Sequence, residues 1–410
     1  MVLNSPSPRI GRGGWGVRAR LEQNLREIKQ IQAAQAVSAN GNEKNVVITL
    51  SDGKITNVEK MPDDKEAGKD ILLPGFIDIH IHGGAGRSVM EGTPDALRAI
   101  GSHLARHGVT GYLATTVTAP RDETIKVLRA VSEFMASPEN GRDGAAVLGC
   151  HLEGPYINPK RKGAQPAQYI LPPNIADFER WAGPFRDAIK IVTLAPEMPG
   201  ALELIRHLSA QGIIISIGHT DATYDQVSAA IDAGAKHVTH CYNAMTQLGS
   251  REPGVVGAAL SQDLTAELIW DNIHVHPASC RALIEAKTAS LVILISDGIP
   301  GAGMLDGYEF TLGDAPVTVR DGTARLPDGT LAGSLLTLDS AFRNASEYGL
   351  NSLTYMLTYN AARALRLQKN GAIAPGNAAN LVLLDSGGFV KQTWVGGRKV
   401  YDADEPGGVV

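Results

Sequence analysis

The sequence predicts a (β/α)₈ barrel that carries a smaller β-domain. A chain of 410 residues, 43% of them hydrophobic, is long enough to bury a large core and to form more than one domain. From about residue 70, short apolar runs rich in Val and Ile alternate with longer segments of helical periodicity. Eight such runs occur. Eight buried parallel strands alternating with helices indicate a closed barrel, and an open doubly wound sheet is the alternative.

The eight apolar runs are the predicted barrel strands. Several of the helical segments between them end in the Gly that is expected after a helix. The runs are FIDIHI from Phe76, GYLATTV from Gly111, AVLGCHL from Ala146, KIVTLA from Lys190, IIISIG from Ile213, HVTHCY from His237, AELIWD from Ala266 and LVILIS from Leu291.

Outside the barrel, alternating apolar residues and turn signals predict further β-structure. The text VVITLSDGKITNVEK indicates two strands joined at Ser51-Asp52-Gly53. The strands near the C-terminus need partners, so we expect both chain ends to meet in a small β-sandwich domain. The start of the chain is rich in Gly, Arg and Gln, with a helical pattern around Leu21 to Ile31, and receives no function. The predicted boundaries are 1–45 for this atypical segment, 46–70 and 372–410 for the β-domain, and 71–371 for the barrel with a β insertion near 308–330.

Charge and composition exclude several classes of protein. The formal net charge is -5 and no long basic run occurs, so we expect no nucleic-acid partner. No apolar stretch is long enough for a secretory signal or a membrane span, which predicts a soluble, cytoplasmic protein. The cysteines Cys150, Cys241 and Cys280 are an odd number and widely spaced, which argues against a disulfide framework.

Ionisable residues concentrate at the ends of the predicted strands. The active site of such a barrel lies at the carboxyl ends of its strands. His80 and His82 end the first run, and as residues i and i+2 they face the same side of a strand and can bind one ion together. Imidazole and carboxylate groups from several strands are typical of a catalytic zinc-like site. The other strand-end residues are Glu153, His219, His240, His274 and Asp297.

Asp297 is the predicted general base and acid. An aspartate beside a metal-bound water can take the water's proton and later give it to a leaving amine, while the ion lowers the water's pKa to about 7 and polarises the carbonyl. This chemistry suits amide hydrolysis. The alternative is a turn-initiating Asp before Gly298.

Other histidines have a simpler interpretation, because a single His near a strand end is more often a satisfied polar residue than a ligand. His103, His107, His207 and His237 are interpreted as structural. His151 lies one layer deeper than Glu153, which favours an indirect role behind a ligand.

Several ordered motifs resemble the N-acetylglucosamine-6-phosphate deacetylase family of the amidohydrolase superfamily. The resemblance runs from about Ile71 to the C-terminus. PGFIDIHIHG alone fits many amidohydrolases, whereas the later segments together are specific. The motifs are PGFIDIHIHG, HLEGPYINPKRKGAQ, SIGHTDATYDQ, HVTHCYNAMTQLGSREPG, DNIHVHP, ISDGIPGAGM and DGTLAGS.

The resemblance implies a metal centre of one or two divalent ions. Glu153, His219 and His240 would hold the principal ion, and His80 and His82 would add a second ion that shares Glu153. Zinc is the expected metal, with iron, manganese and cobalt as alternatives.

The resemblance also implies the substrate and its contacts. The substrate would be a small amino sugar phosphate, contacted by Asn243, Ala244, Arg251 and His274. An Arg fork beside backbone N–H groups suits a phosphate, and the alternative for Arg251 is a solvated loop charge. A basic phosphate ligand can come from the neighbouring subunit in this family, which implies a homodimer.

The chain departs from the family at two places. Where the family usually reads KGAH, with a His that contacts the substrate, this chain has Gln165, which can donate a hydrogen bond but carries no positive charge. The second departure is the segment before residue 45, where relatives begin with a strand pair.

The implied reaction is attack of metal-bound hydroxide on the acetyl carbonyl of N-acetylglucosamine 6-phosphate. Asp297 would take the water proton and return it to the sugar nitrogen, which releases acetate and glucosamine 6-phosphate. Two alternatives remain: a deacetylase for the galactosamine epimer or another N-acyl group, and a non-catalytic barrel that binds a sugar phosphate.

Overall fold

The computed structural model describes residues 28–38, 41–62, 68–313 and 315–405. The strands are β1 Lys29–Ser38, β2 Gly41–Ser51, β3 Lys54–Lys60, β4 Ile71–Pro74, β5 Phe76–Ile81, β6 Gly83–Gly84, β7 Arg87–Ser88, β8 Val109–Thr116, β9 Ala146–Glu153, β10 Ile189–Leu194, β11 Ile214–Ile217, β12 His237–Val238, β13 Thr265–Leu268, β14 Val292–Leu294, β15 Glu309–Leu312, β16 Ala315–Arg320, β17 Thr323–Arg325, β18 Leu381–Leu384, β19 Val390–Val395 and β20 Arg398–Asp402.

The α-helices lie mainly between the barrel strands. They are α1 Pro94–Ala105, α2 Arg121–Met135, α3 Ile175–Trp181, α4 Ala201–Ala210, α5 Tyr224–Ala233, α6 Gly254–Ser261, α7 Pro277–Lys287, α8 Leu338–Asn344, α9 Gly349–Thr354 and α10 Asn360–Ala364. A π-helical turn, Tyr355–Tyr359, connects α9 to α10. Short 3₁₀ turns cover Val89–Glu91, Pro159–Arg161, Ala167–Tyr169, Gly183–Ala188, Ala289–Leu291 and Ser346–Tyr348.

Within the described residues, eight parallel strands form the barrel in the chain order β5, β8, β9, β10, β11, β12, β13, β14. A parallel bridge joins Ile81, at the end of β5, to Gly298, just after β14, and so brings the first and last strands together. Each strand coincides with one of the eight apolar runs. The predicted (β/α)₈ barrel is therefore confirmed.

Helix α1 shows how the local sequence packs against the barrel. Its N-cap Thr93 accepts a hydrogen bond from the Ala96 N–H, and Pro94 occupies the first turn, where a missing N–H is harmless. Leu97 and Ile100 lie on its buried face. Burying a side chain of this size stabilises the fold by about 1.5–3 kcal/mol, and truncation to Ala would cost about 2–5 kcal/mol.

Both chain ends contribute to one sheet outside the barrel, in the order β20-β19-β18-β4-β1-β2-β3. Residues from its two halves, including Ile48 and Leu50 of β2 and Leu381 and Trp394 of β18 and β19, pack in one core. The prediction that both ends build a small β-domain is confirmed.

Strand β1 corrects the helical pattern expected around Leu21 to Ile31. Residues from Lys29 onward are extended and pair with β2 from Lys29↔Leu50 to Ser38↔Gly41. Residues 21–27 of that pattern lie outside the described part. The text KQIQAAQAVS has good helix formers, but pairing with β2 and the burial of Ile31 and Ala33 override that propensity.

The predicted insertion near 308–330 is an antiparallel three-stranded sheet in the order β15-β16-β17. Leu312 and Val317 of this sheet pack on Ile299, which follows the last barrel strand. The insertion therefore lies beside the carboxyl ends of the barrel strands. Among the described residues, no helix is both long and apolar enough to cross a membrane.

Candidate active site

The first barrel strand brings two imidazoles to the mouth of the barrel. His80 and His82 lie at and just after the end of β5, and their Nε2 atoms are 3.3 Å apart. His80 is fully buried and His82 nearly so. The shared side of positions i and i+2 thus places the pair as the sequence predicted.

Glu153, the last residue of β9, lies at the centre of the site. Its Oε1 is 3.2 Å from His219 Nε2, 3.1 Å from His240 Nε2 and 3.4 Å from His80 Nε2. Its Oε2 is 3.4 Å from His82 Nε2. One buried carboxylate therefore faces all four imidazoles.

Three of the site residues have left-handed backbone conformations, with φ of 48° at His219, 28° at His240 and 49° at Asp297. Such φ values are strained in residues other than Gly and persist where the surroundings impose them. At Asp297 the backbone supplies that restraint, because its N–H donates to His80 O at 2.9 Å and its carbonyl accepts from the Ser334 N–H at 2.9 Å.

Asp297 completes a second group of ligand-type side chains. Its Oδ1 lies 3.3 Å from His82 Nε2 and 3.4 Å from His80 Nε2. Two groups at the cavity thus have donor atoms that lie within 4.8 Å of one another inside each group: His80, His82 and Asp297, and Glu153, His219 and His240. A third set, His80, His151 and Glu267, meets the same distance.

The hydrogen bonds on the outer side of the imidazoles show that this donor set suits a cation. Nδ1 of His80 faces Glu267 Oε2 at 2.9 Å, Nδ1 of His82 faces the Thr115 carbonyl at 3.2 Å, and Nδ1 of His219 faces the Arg161 carbonyl at 2.8 Å. These acceptors require Nδ1 to carry the proton, so the Nε2 lone pairs point inward. The Nε2 atoms of His80 and His82 are 3.3 Å apart, and two lone pairs that face each other at this distance repel unless positive charge lies between them.

The pKa values of His80 and His82 are also shifted by the surrounding carboxylates. Burial lowers the pKa of His80, but Glu267, Glu153 and Asp297 outweigh it and raise the pKa well above its ordinary value. Burial likewise lowers the pKa of His82, and hydrogen bonds with Asp297 and Glu153 raise it to about 9. The carboxylates thus attract positive charge to the ring nitrogens, and a divalent ion held here would supply that charge in place of protons.

The two carboxyl groups are shifted in the opposite direction. Burial raises the pKa of Glu153, but His219 and His80 outweigh it and hold the pKa well below its ordinary value. Burial also raises the pKa of Asp297, and His80 and His82 lower it more. Both groups are therefore carboxylates at neutral pH.

A cavity of about 380 Å³ opens above these groups, within the roughly 300–1,000 Å³ typical of small-molecule sites. The cavity is lined by Asn243, Ala244, His274 and Gln165 together with five ligand-type residues, His82, Glu153, His219, His240 and Asp297. Arg251 is exposed and is not among the residues that line this cavity in a single chain.

Gln165 is buried and engaged at both ends of its amide. Its Oε1 accepts the Thr118 N–H at 2.6 Å, and its Nε2 donates to Glu153 Oε2 at 2.6 Å. The sequence predicted a substrate contact here, and the structure adds a contact with the central carboxylate.

His274 is held by the loop after β13. Asp271 accepts hydrogen bonds from its Nδ1 at 2.6 Å and from its backbone N–H at 2.8 Å. Burial lowers the pKa of His274, but Asp271 outweighs it and raises the pKa above its ordinary value. The ring thus gains cationic character at the cavity wall.

Three of the four histidines interpreted as structural lie away from the cavity, and the fourth, His237, faces Glu267, with its Nε2 3.3 Å from Oε1. His107 pairs with Asp339 at 3.0 Å, and His207 with Glu179 at 2.6 Å. The ring of His103 packs against Gly84 and Gly303.

His151 lies against His80, with ring centroids 4.6 Å apart. Both of its nitrogens are engaged, Nδ1 with the Ile79 carbonyl at 3.2 Å and Nε2 with Thr193 Oγ1 at 2.7 Å. It therefore packs behind a ligand-type residue and has no free nitrogen for an ion.

Sequence reasoning missed three residues of the site. Glu267 contacts His80 from β13, and a charged residue inside the apolar run AELIWD was the available signal. Lys160 and Arg161 line the cavity, and their signal was the basic text PKRKG ahead of Gln165.

A family model described as the amidohydrolase family matches residues 71–400. The chain belongs to the amidohydrolase family. This amidohydrolase is 43% identical over 356 residues to the N-acetylglucosamine-6-phosphate deacetylase of Bacillus subtilis (strain 168), covering 84% of this chain and 89% of that protein. It is 40% identical over 359 residues to the N-acetylgalactosamine-6-phosphate deacetylase of Escherichia coli O157:H7, covering 86% and 93%.

Solved structures of deacetylases share this fold over most of the chain. The N-acetylglucosamine-6-phosphate deacetylase of Thermotoga maritima superposes with a TM-score of 0.84 at 34% identity, covering 92% of this chain and 100% of that one. A mutant of the Mycobacterium smegmatis enzyme, solved in complex with N-acetyl-D-glucosamine-6-phosphate, gives a TM-score of 0.85 at 30% identity, covering 91% and 99%.

Proposed function

We propose that this amidohydrolase removes the acetyl group of N-acetylglucosamine 6-phosphate and releases acetate and glucosamine 6-phosphate. The observation that carries the proposal is the buried carboxylate of Glu153 facing four imidazoles, with Asp297 beside them at a cavity of sugar-phosphate size. Membership of the amidohydrolase family and the similarity to deacetylases over most of the chain support it.

Glu153, His219 and His240 would hold one divalent ion, and His80 and His82 a second that shares Glu153. Zinc is the expected metal, and iron, manganese and cobalt suit the same nitrogen and oxygen donors. When bound, such an ion polarises the acetyl carbonyl and lowers the pKa of water.

Asp297 has the proton-transfer role in this proposal. A water oxygen forms a bond to the acetyl carbon, and the water gives its proton to an Asp297 carboxylate oxygen. As the bond from carbon to the sugar nitrogen breaks, Asp297 returns that proton to the nitrogen. The lowered pKa of Asp297 keeps it ionised and able to accept the proton at neutral pH.

The substrate contacts come from the cavity wall and the loops at its rim. His274, with its raised pKa, would offer a cationic ring to the phosphate, and Asn243 and Ala244 would add polar and backbone contacts. Arg251 is exposed at a single chain's surface, which suits the family pattern in which a basic residue reaches the neighbouring subunit's pocket. We therefore propose a homodimer.

The first experiment is acetate release by the purified, metal-replete protein. Three substrates are compared: N-acetylglucosamine 6-phosphate, its galactosamine epimer and unphosphorylated N-acetylglucosamine. Fast release from the first alone supports the proposal. No release from any of the three would refute deacetylation of these sugars and favour a non-catalytic sugar-phosphate-binding barrel.

Deacetylation of N-acetylgalactosamine 6-phosphate is the second candidate function. The 40% identity to the deacetylase of Escherichia coli O157:H7 favours it, and so does Gln165 at the position where the family usually has His. A kcat/KM for the galactosamine epimer above that for the glucosamine substrate would decide for it. For either substrate we place the protein in the cytoplasm, where its buried unpaired thiols Cys150, Cys241 and Cys280 would persist.

A further inference from the structure

Glu267 is a fully buried carboxylate in the interior of the barrel. It lies on β13 within the apolar run AELIWD, at 0% exposure. Barrel interiors are normally filled by branched apolar side chains, and the burial of a charge costs several kcal/mol unless partners compensate. A residue that stabilised only the fold would not need a carboxylate here.

The contacts of Glu267 converge on the two groups of ligand-type residues. Its Oε2 lies 2.9 Å from His80 Nδ1 and 3.0 Å from the backbone nitrogen of His240. Its Oε1 lies 3.3 Å from His237 Nε2. One oxygen atom thus accepts hydrogen bonds from a residue of each group.

Each of these bonds fixes a feature that the site needs. The bond to Nδ1 sets the His80 tautomer, so the Nε2 lone pair faces Glu153. The bond to the His240 N–H holds that residue at φ 28°, a conformation that would otherwise relax. His240 Nδ1 is buried without a hydrogen-bond partner, so no contact on the outer side of the ring orients it, and the Glu267 bond to its N–H is one of the contacts that position the residue.

We propose that Glu267 is a positioning residue that couples the two halves of the metal centre, holding the His80 ring and the His240 backbone through a single oxygen. The inference rests on the proposed metal-dependent function. It assigns to the seventh barrel strand a part in the metal centre, whereas His274, in the loop after that strand, lines the cavity as a candidate substrate contact.

Two substitutions separate position from charge. Glu267→Gln keeps the chain length, so its amide oxygen can occupy the Oε2 position and accept both hydrogen bonds. Glu267→Asp keeps the charge but is one methylene shorter, so it cannot reach both donors. The control is Asn360→Ala, which removes a buried amide that donates to the Ala289 and Val292 carbonyls.

The readout is Zn²⁺ affinity of the metal-stripped full chain, measured by chelator competition, with Co²⁺ absorption spectra to report ligand geometry. Outer hydrogen-bond partners of metal ligands typically contribute about 10- to 100-fold in affinity. We expect Glu267→Asp to weaken Zn²⁺ binding by about that factor and to change the Co²⁺ spectrum. We expect Glu267→Gln to stay within about tenfold of the wild type, and Asn360→Ala to match it.

Two results would overturn the inference. The first is wild-type affinity in Glu267→Asp, which together with a loss in Glu267→Gln would indicate a role for charge alone. The second is a loss in Glu267→Gln as large as that in Glu267→Asp, which would show that an acceptor atom at the Oε2 position is not sufficient. A wild-type protein that binds neither Zn²⁺ nor Co²⁺ would overturn the metal centre and the inference together. A protein that binds Zn²⁺ but releases no acetate from any tested sugar would refute the proposed reaction only, and the Zn²⁺ comparison would still decide the role of Glu267.

Discussion

Replacing Asp297 with Asn removes the proton acceptor of the proposed reaction while leaving the backbone that positions it. The Asp297 N–H bond to His80 O and the Ser334 N–H bond to Asp297 O do not involve the side chain, and Asn has nearly the same shape. Glu153, His219 and His240 are untouched. The variant should therefore fold and keep the principal ion.

The size of the expected loss in kcat follows from the proton-transfer role of Asp297. General acid–base catalysis contributes about 10²- to 10⁴-fold, so kcat should fall by that factor, equivalent to about 3–5 kcal/mol in activation free energy. KM should change little, because Asp297 acts on water and the sugar nitrogen.

The assay is acetate release at saturating substrate, with metal content measured on the same sample. Asp95→Asn, which neutralises an exposed acid on α1, is the matched control and should keep wild-type kcat. A kcat for Asp297→Asn within about tenfold of wild type, at wild-type metal content, would refute the assigned proton transfer.

Three further changes test other parts of the structure. Arg251→Ala should raise KM about 10- to 100-fold for the phosphorylated substrate and hardly for the free sugar, because a charged hydrogen bond is worth about 1.5–3 kcal/mol. Arg281→Ala is the control. Equal effects of Arg251→Ala on both sugars would contradict the assignment of Arg251 to the phosphate. Gln165→Glu should lower kcat/KM at least about 100-fold, because it puts a second carboxylate 2.6 Å from the central one, whereas Gln168→Glu should not. Burial and two basic neighbours lower the pKa of His103 to about 4, so the unfolded chain, with a pKa of about 6.5, binds the proton first. The stability that the neutral His103 contributes should be fully present above pH 6.5 and fall towards pH 4. Urea unfolding should show a loss of about 2 kcal/mol in the free energy of unfolding between pH 7.5 and 5. A His103→Gln variant that lost as much stability over this range would contradict His103 as the cause.

The barrel could be predicted because strands buried on both faces of a parallel sheet appear in the sequence as continuous apolar runs. Each of the eight runs became a strand. β1 could not be predicted in the same way, since its text QIQAAQAVS has only two branched apolar residues, Ile31 and Val37, set among Gln and Ala. Its extended state comes from pairing with β2 and from the burial of Ile31 and Ala33, which are tertiary effects.

The ligand-type residues could be placed because the topology of a barrel brings all strand ends to one mouth. This rule and the position of each apolar run were enough to place His80, His82, Glu153 and Asp297. Glu267 could not be placed by this rule. The sequence shows a charged residue inside a strand but not which neighbouring residue it contacts. Whether such a charge meets a ligand or a structural partner depends on distances between strands far apart in the chain.

Gln165 shows how the structure changes the meaning of a substitution that the sequence revealed. A neutral amide in place of the family's usual His suggested weaker polarisation of the acetyl carbonyl. In the structure the amide oxygen accepts the Thr118 N–H, and one amide N–H is committed to Glu153 Oε2. A flip of the amide would put its NH₂ group against the Thr118 N–H, so the orientation is fixed and one N–H remains for the substrate. That single neutral donor is a weaker partner for a developing oxyanion than a charged imidazolium. Positive charge for the carbonyl must therefore come from the centre around Glu153, which Gln165 helps to hold in place.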